Sequence, residues 1–353
     1  MTTKNRSMRR ATLLPLVSAL VLAIANTAAA SNCQLGRIAE WPLRIERNKL
    51  IVDGTINGQK VGVLIDTGAT TTLILRPAAI RLGLTRHDVR RTRIFGVGGE
   101  SNVEYSIVDE FRVGETVRKN WRVLVAGERD IGSDVAVILG EDFLQAVDVE
   151  FDLAHRKLRL FQPTGCEGVS LAYWASAGAG EVEFEPLEAS RSQIVVPIRI
   201  NDQPLKAMLD SGASVSILDK ADAERLGVTP RTPGVVPVGA GVGLGAKSID
   251  TWIGPFRSFT IGDETIRDTE LRFTDWHANA SYVYTGSRLR TQLQGLSSML
   301  LGADFLRAHR LLIAHSQRKI YFTYTGGPIF QLNRPPPPAD APGEGKATPA
   351  KEN

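Results

Sequence analysis

Cysteine is nearly missing from these 353 residues. Cys33 and Cys166 are the only two, too few for a thiolate metal site. Histidine is scarce too, and His87, His155, His277, His309 and His315 show no ligand spacing; they read as ordinary surface or packing residues. Neither metal nor any other cofactor is therefore expected. The chain has no Gly-x-Ser-x-Gly elbow, which removes one common frame for a serine nucleophile. Gly239, Gly241, Gly243 and Gly245 are close together, but they lack the G-x-G-x-x-G spacing and a surrounding βαβ unit, so they do not read as a dinucleotide loop.

An excess of basic charge is also missing once the chain is divided. The whole sequence carries a net charge of +4 and a pI near 9.1. Setting aside Lys4, Arg6, Arg9 and Arg10 leaves 38 basic against 38 acidic residues, which argues against a nucleic-acid surface. Those four residues precede an apolar stretch from Ala11 to about Ile24, and Ala28-Ala29-Ala30 then offers small residues at a cleavage site. The apolar run is shorter than the roughly 20 residues a membrane span needs. Residues 1–30 therefore read as a cleaved signal peptide, and the remainder is expected to be exported, periplasmic or secreted, with no membrane association. Export permits disulfides. Cys33 and Cys166 are expected to pair, the alternative being two free buried thiols. Closing a loop with a separation of 133 residues is worth about 4–5 kcal/mol in the chain-entropy picture.

What the chain does have is a repeat. Asp66-Thr67-Gly68 is answered by Asp210-Ser211-Gly212, 144 residues later. Asn57/Asn201, Gln59/Gln203, Ala69/Ala213, Arg81/Arg225 and Gly83/Gly227 keep the same offset, the mark of an internal duplication. Each Asp follows an apolar run, Val63-Leu64-Ile65 or Ala207-Met208-Leu209, so each is expected at a strand-to-loop tip. Val137 to Leu144 returns as Met299 to Leu306 at an offset of 162. The second copy is thus 18 residues longer, with four extra residues at a glycine-rich hairpin and the rest around 274–294. Short β-prone runs separated by Gly and Asp turns predict an all-β fold. The organisation expected is a first lobe over 31–163, a linker over 164–192 able to add an interdomain strand, a second lobe over 193–326, and a disordered Pro-rich tail over 327–353.

The Asp-Thr/Ser-Gly-Ala-Thr/Ser tips, the glycine-rich hairpins that follow, and the Leu-Gly-x-Asp segments resemble the retropepsin-like aspartic peptidases, relatives of the pepsins. The resemblance covers both repeats and implies two pseudo-symmetric β-barrel lobes in one monomeric chain with a cleft between them. It implies Asp66 and Asp210 as a catalytic pair sharing one proton. Thr67, Gly68, Ala69, Ser211, Gly212 and Ala213 would support the tips. Gly96, Gly98 and Gly99, and Gly239, Gly241 and Gly243, would lie in two flaps. The partner is then a peptide or protein substrate. Gly140 and Gly302 would pack under the tips, with Asp142 and Asp304 favouring the start of a short helix. The supporting Arg of the retroviral members is absent, Glu141 and Ala303 standing there instead. Alanine at 69 and 213, where pepsins usually place a hydroxyl, implies a mildly acidic optimum. Two other readings remain open: a non-catalytic peptide-binding or inhibitory protein on the same fold, and two halves that each dimerise with another chain.

Overall fold

The computed structural model describes residues 32–96, 99–187, 192–242, 248–276, 282–284, 290–292 and 297–332. Each repeat closes a six-stranded ring. In the first, Lys49–Ile56, Gln59–Ile65, Val135–Leu139, Leu73–Leu75, Thr116–Ala126 and Gly99–Val113 pair in turn, and the last returns to Lys49–Ile56. In the second, Val195–Ile200, Gln203–Leu209, Met299–Leu301, Ile217–Asp219, Glu264–Thr274 and Ser248–Ile261 close in the same order. The molecule is mostly β, as the sequence predicts.

Local chemistry explains why the copies fold alike. Asn57 and Asn201 both adopt positive φ (49° and 50°) at the first hairpin turn, a conformation Asn tolerates better than most side chains. Each also uses its side-chain oxygen, accepting from the Glu110 amide at 3.0 Å and the Arg257 amide at 2.7 Å. This pins the hairpin to the long strand behind it. Helices Arg76–Arg81 and Lys220–Arg225 each end at a positive-φ glycine, Gly83 or Gly227.

A third sheet joins the halves, with strand order Gln34–Pro42, Lys157–Thr164, Asp148–Asp152, His309–Ala314, Lys319–Tyr324 and Gly180–Glu183. At its centre, Asp148–Asp152 pairs antiparallel with its repeat counterpart His309–Ala314. The segment before the first repeat is thereby a paired edge strand, and the Cys33–Cys166 disulfide ties its start to the chain leaving that repeat.

Gly99–Val113 is one continuous strand, and a short 3-10 turn over Leu153–His155 follows Asp148–Asp152. One expectation is corrected. Residues 327–332, grouped above with the tail, include packed positions: Phe330 is buried edge-on against Phe259, with ring centroids 5.1 Å apart, and the Gln331 amide donates to Asp304. The extra residues around 274–294 include a short hairpin, Tyr282–Tyr284 with Arg290–Gln292.

Candidate active site

The two aspartates arrive by the same route. Gln59–Ile65 runs parallel to Val135–Leu139, ending with Ile65 opposite Leu139, and the Asp66 amide adds one further bond to the Leu139 carbonyl at 3.0 Å. Asp210 repeats this on Leu301 at 2.9 Å. The chain then turns back on itself. Gly68 and Ala69 donate their amides to Asp66 Oδ1 at 2.9 and 3.1 Å, and Gly212 and Ala213 donate theirs to Asp210 Oδ1 at 3.0 and 2.9 Å.

The tips face each other. A Cβ on Gly68 would lie 2.5 Å from Asp210 Cγ, and one on Gly212 would lie 2.5 Å from Asp66 Oδ1. Only glycine leaves room for each carboxyl over the opposing backbone. Beneath them, buried Thr67 and Ser211 cross over. Thr67 Oγ1 donates to the Leu209 carbonyl at 2.8 Å and accepts from the Ser211 amide at 3.0 Å. Ser211 Oγ does the reciprocal with the Ile65 carbonyl at 2.8 Å and the Thr67 amide at 3.0 Å. Four bonds therefore hold the two tips in register.

This geometry sets the charge state. Burial and the facing Asp210 carboxylate hold the Asp66 carboxyl well above the usual range, and burial raises Asp210 as well. Two carboxyls in hydrogen-bond contact cannot both ionise cheaply, so the pair retains a proton that a solvated aspartate would lose.

Asp142 and Asp304 do more than favour a helix start. Asp142 Oδ1 accepts from the Thr72 amide at 2.8 Å and its hydroxyl at 2.6 Å, while Asp304 Oδ1 does the same for Ser216, also at 2.8 and 2.6 Å. Those hydroxyls in turn accept from the Gly140 and Gly302 amides at 3.0 and 2.9 Å. Each carboxylate thus staples the outgoing side of its tip to the Leu-Gly segment. The glycine is required sterically, since a Cβ at Gly140 would lie 2.7 Å from the Ala69 carbonyl oxygen.

The sequence marks Glu141 only as a departure from the retroviral pattern and His315 only as an ordinary residue; it does not show that the two meet. Glu141 is wholly buried, and no hydrogen bond reaches either of its carboxyl oxygens. Burial, then the negative charges of Asp66 and Asp142, push its carboxyl up to about 8. His315 Nε2 lies 3.6 Å from Glu141 Oε2, and burial lowers the His315 imidazole to about 4. His309, also taken as ordinary, is buried with its ring nitrogens on the Phe305 carbonyl and on Glu264.

The glycine-rich hairpins are β-ribbons. Gly96 pairs with Gly99, Gly239 has φ 86°, and Gly241 pairs with Ile249. Gly98 and Gly243 lie outside the described residues.

Two strand-ring lobes presenting facing Asp-Thr/Ser-Gly tips define a two-lobed aspartic-protease fold. A model of the aspartyl protease family matches residues 52–143 and again 196–305, together more than half of the chain. The chain belongs to the retropepsin-like aspartyl proteases, as a tandem of two halves. No curated protein matches it.

Proposed function

We propose that this protein is an exported aspartic endopeptidase in which Asp66 and Asp210 form one catalytic pair within a single chain. The observation that carries this reading is the interlock of the tips: two carboxyls over opposing glycines, with raised proton affinity, above a reciprocal Thr67–Ser211 crossover. The ionised aspartate takes a proton from water as the water oxygen bonds to the scissile carbonyl carbon. The protonated aspartate hydrogen-bonds the oxygen as charge develops on it. Collapse of the tetrahedral species breaks the C–N bond, and the leaving nitrogen takes the proton held by the aspartate that accepted it from water. Among the described residues, no side-chain hydroxyl hydrogen-bonds either aspartate, which supports a mildly acidic optimum. Export is supported by the basic, apolar leader and by a disulfide that suits an oxidising compartment.

The test is cleavage of a peptide library by the wild-type protein across pH 2–8, with and without a statine-type inhibitor. Inhibitor-sensitive cleavage peaking between about pH 4 and 6 is expected. A peak below pH 3 would refute the argument from Ala69 and Ala213. Absence of cleavage at every pH would favour a peptide-binding protein on this fold.

A further inference from the structure

Beside the second tip lies a cavity of about 660 Å³ whose lining includes Arg47, Asn48, Arg156, Ser214 and Arg307 and no acidic residue. Arg47 and Arg156 belong to the first half; Ser214 and Arg307 belong to the second. Elsewhere Arg44, Arg76 and Arg159 each meet two or more carboxylates. Among the described residues, no acidic partner lies within ion-pair distance of the cavity's Arg47, Arg156 or Arg307. Arg307 instead donates to Asn48 Oδ1 at 2.6 Å. Asn48 is buried, and its amide nitrogen donates to the Ser214 carbonyl at 2.9 Å and to Gln331 Oε1 at 2.8 Å.

The cavity is therefore a built structure. Buried Asn48 lines it and fastens the first half to the loop that carries Asp210, while the exposed Arg47, Arg156 and Arg307 line it with no carboxylate paired to them among the described residues. Arg47, Asn48 and Arg156 all sit at positive φ, 50°, 62° and 55°, a backbone conformation that carries a cost for side chains of this kind. The clamp exists on one side only. At the repeat offsets Asn48 corresponds to Ser192 and Arg307 to Gln145.

We propose that this cavity binds a small multivalent oxyanion, a polyphosphate or polycarboxylate, that bridges the two halves next to the Asp210 loop. Guanidinium groups present forked donors matched to phosphate and carboxylate oxygens. The volume falls in the range of small-molecule sites, and an anion would relieve the repulsion among like charges gathered around one space. Because the ligand would touch both halves, binding should stabilise the folded chain whether or not it cleaves peptides.

The experiment is thermal unfolding of the full protein with pyrophosphate or citrate, set against sodium chloride at matched ionic strength. A rise in Tm on the order of 4 °C is expected at a ligand concentration a hundred times its Kd, and the two probes distinguish phosphate from carboxylate. The Arg47→Asn/Arg156→Asn double variant keeps residues that accept positive φ, so its Tm without ligand should stay near wild type while its affinity falls at least tenfold. If the double variant does not fold, each single variant should show the weakened response. The proposal is overturned if neither anion raises the wild-type Tm, if sodium chloride raises it equally, or if the arginine variants respond as the wild type does.

Discussion

The active-site geometry depends most on residues with little or no side chain. Gly68 and Gly212 are required because each opposing carboxyl occupies the volume a Cβ would take. Gly68→Ala is expected to force the tips apart and lower kcat/KM at least a hundredfold, as displacing a catalytic group by about 1 Å can do. Steady-state kinetics on a cleaved peptide, with circular dichroism to verify folding, measures it. Glu141 makes a different prediction. From about pH 4.5 to 6.5 the folded state holds a proton on Glu141 that the unfolded chain has released, and lacks one on His315 that the unfolded chain has bound. These contributions cancel. From 6.5 to about 8, of these two groups only Glu141 differs, its folded state holds the extra proton, and its contribution to stability falls as pH rises, by about 2 kcal/mol over that window. Urea unfolding at pH 6.5 and pH 8 should show this loss in the wild type, and Glu141→Gln should remove it. The aspartates were legible in the sequence because the repeat marks them twice. Glu141 was legible only as a departure from the family pattern, because its neighbour His315 is 174 residues away, in the turn that joins two strands of the sheet shared by both halves.

At the scale of elements, each tip is held by bonds that leave its own strand. Thr67 and Ser211 tie tip to tip, and Asp142 and Asp304 tie each tip to its Leu-Gly segment. Asp304 is almost fully buried and also accepts from the Phe305 and Gln331 amides. Asp304→Ala would strand several buried donors and is expected to cost on the order of 3 kcal/mol, read by chemical denaturation. Thr67→Ala leaves the Leu209 carbonyl and the Ser211 amide unpaired and should cost about 2–4 kcal/mol, with activity falling along with stability. The strand and helix order of each half could be read from alternating apolar runs and positive-φ glycines. The full length of the hairpin ribbons is harder to read, because register shifts, such as the one between Asp88 and Arg93, interrupt the alternation.

At the scale of the whole molecule, the halves are joined by the Thr67–Ser211 crossover, by the six-stranded sheet, and by the disulfide anchoring that sheet's edge strand. Reducing Cys33–Cys166 is expected to lower stability by about 2–4 kcal/mol, measured as a drop in the urea midpoint with dithiothreitol; no change would mean the edge strand holds without it. The duplication announced two lobes in the sequence, whereas the shared sheet was harder to see. Its outer strand Gly180–Glu183 comes from an Ala/Gly-rich linker with little β signal, and its centre joins segments of the two repeats that only the folded chain brings together. The central claim is that one chain supplies both halves of one active site. The most direct test assays peptide cleavage by monomeric wild type, Asp66→Asn, Asp210→Asn, and an equimolar mixture of the two variants. Wild type should cleave, each variant should lose about 10³-fold or more, and the mixture should stay inactive. Cleavage by either variant alone, or activity regained on mixing, would contradict a single intramolecular pair.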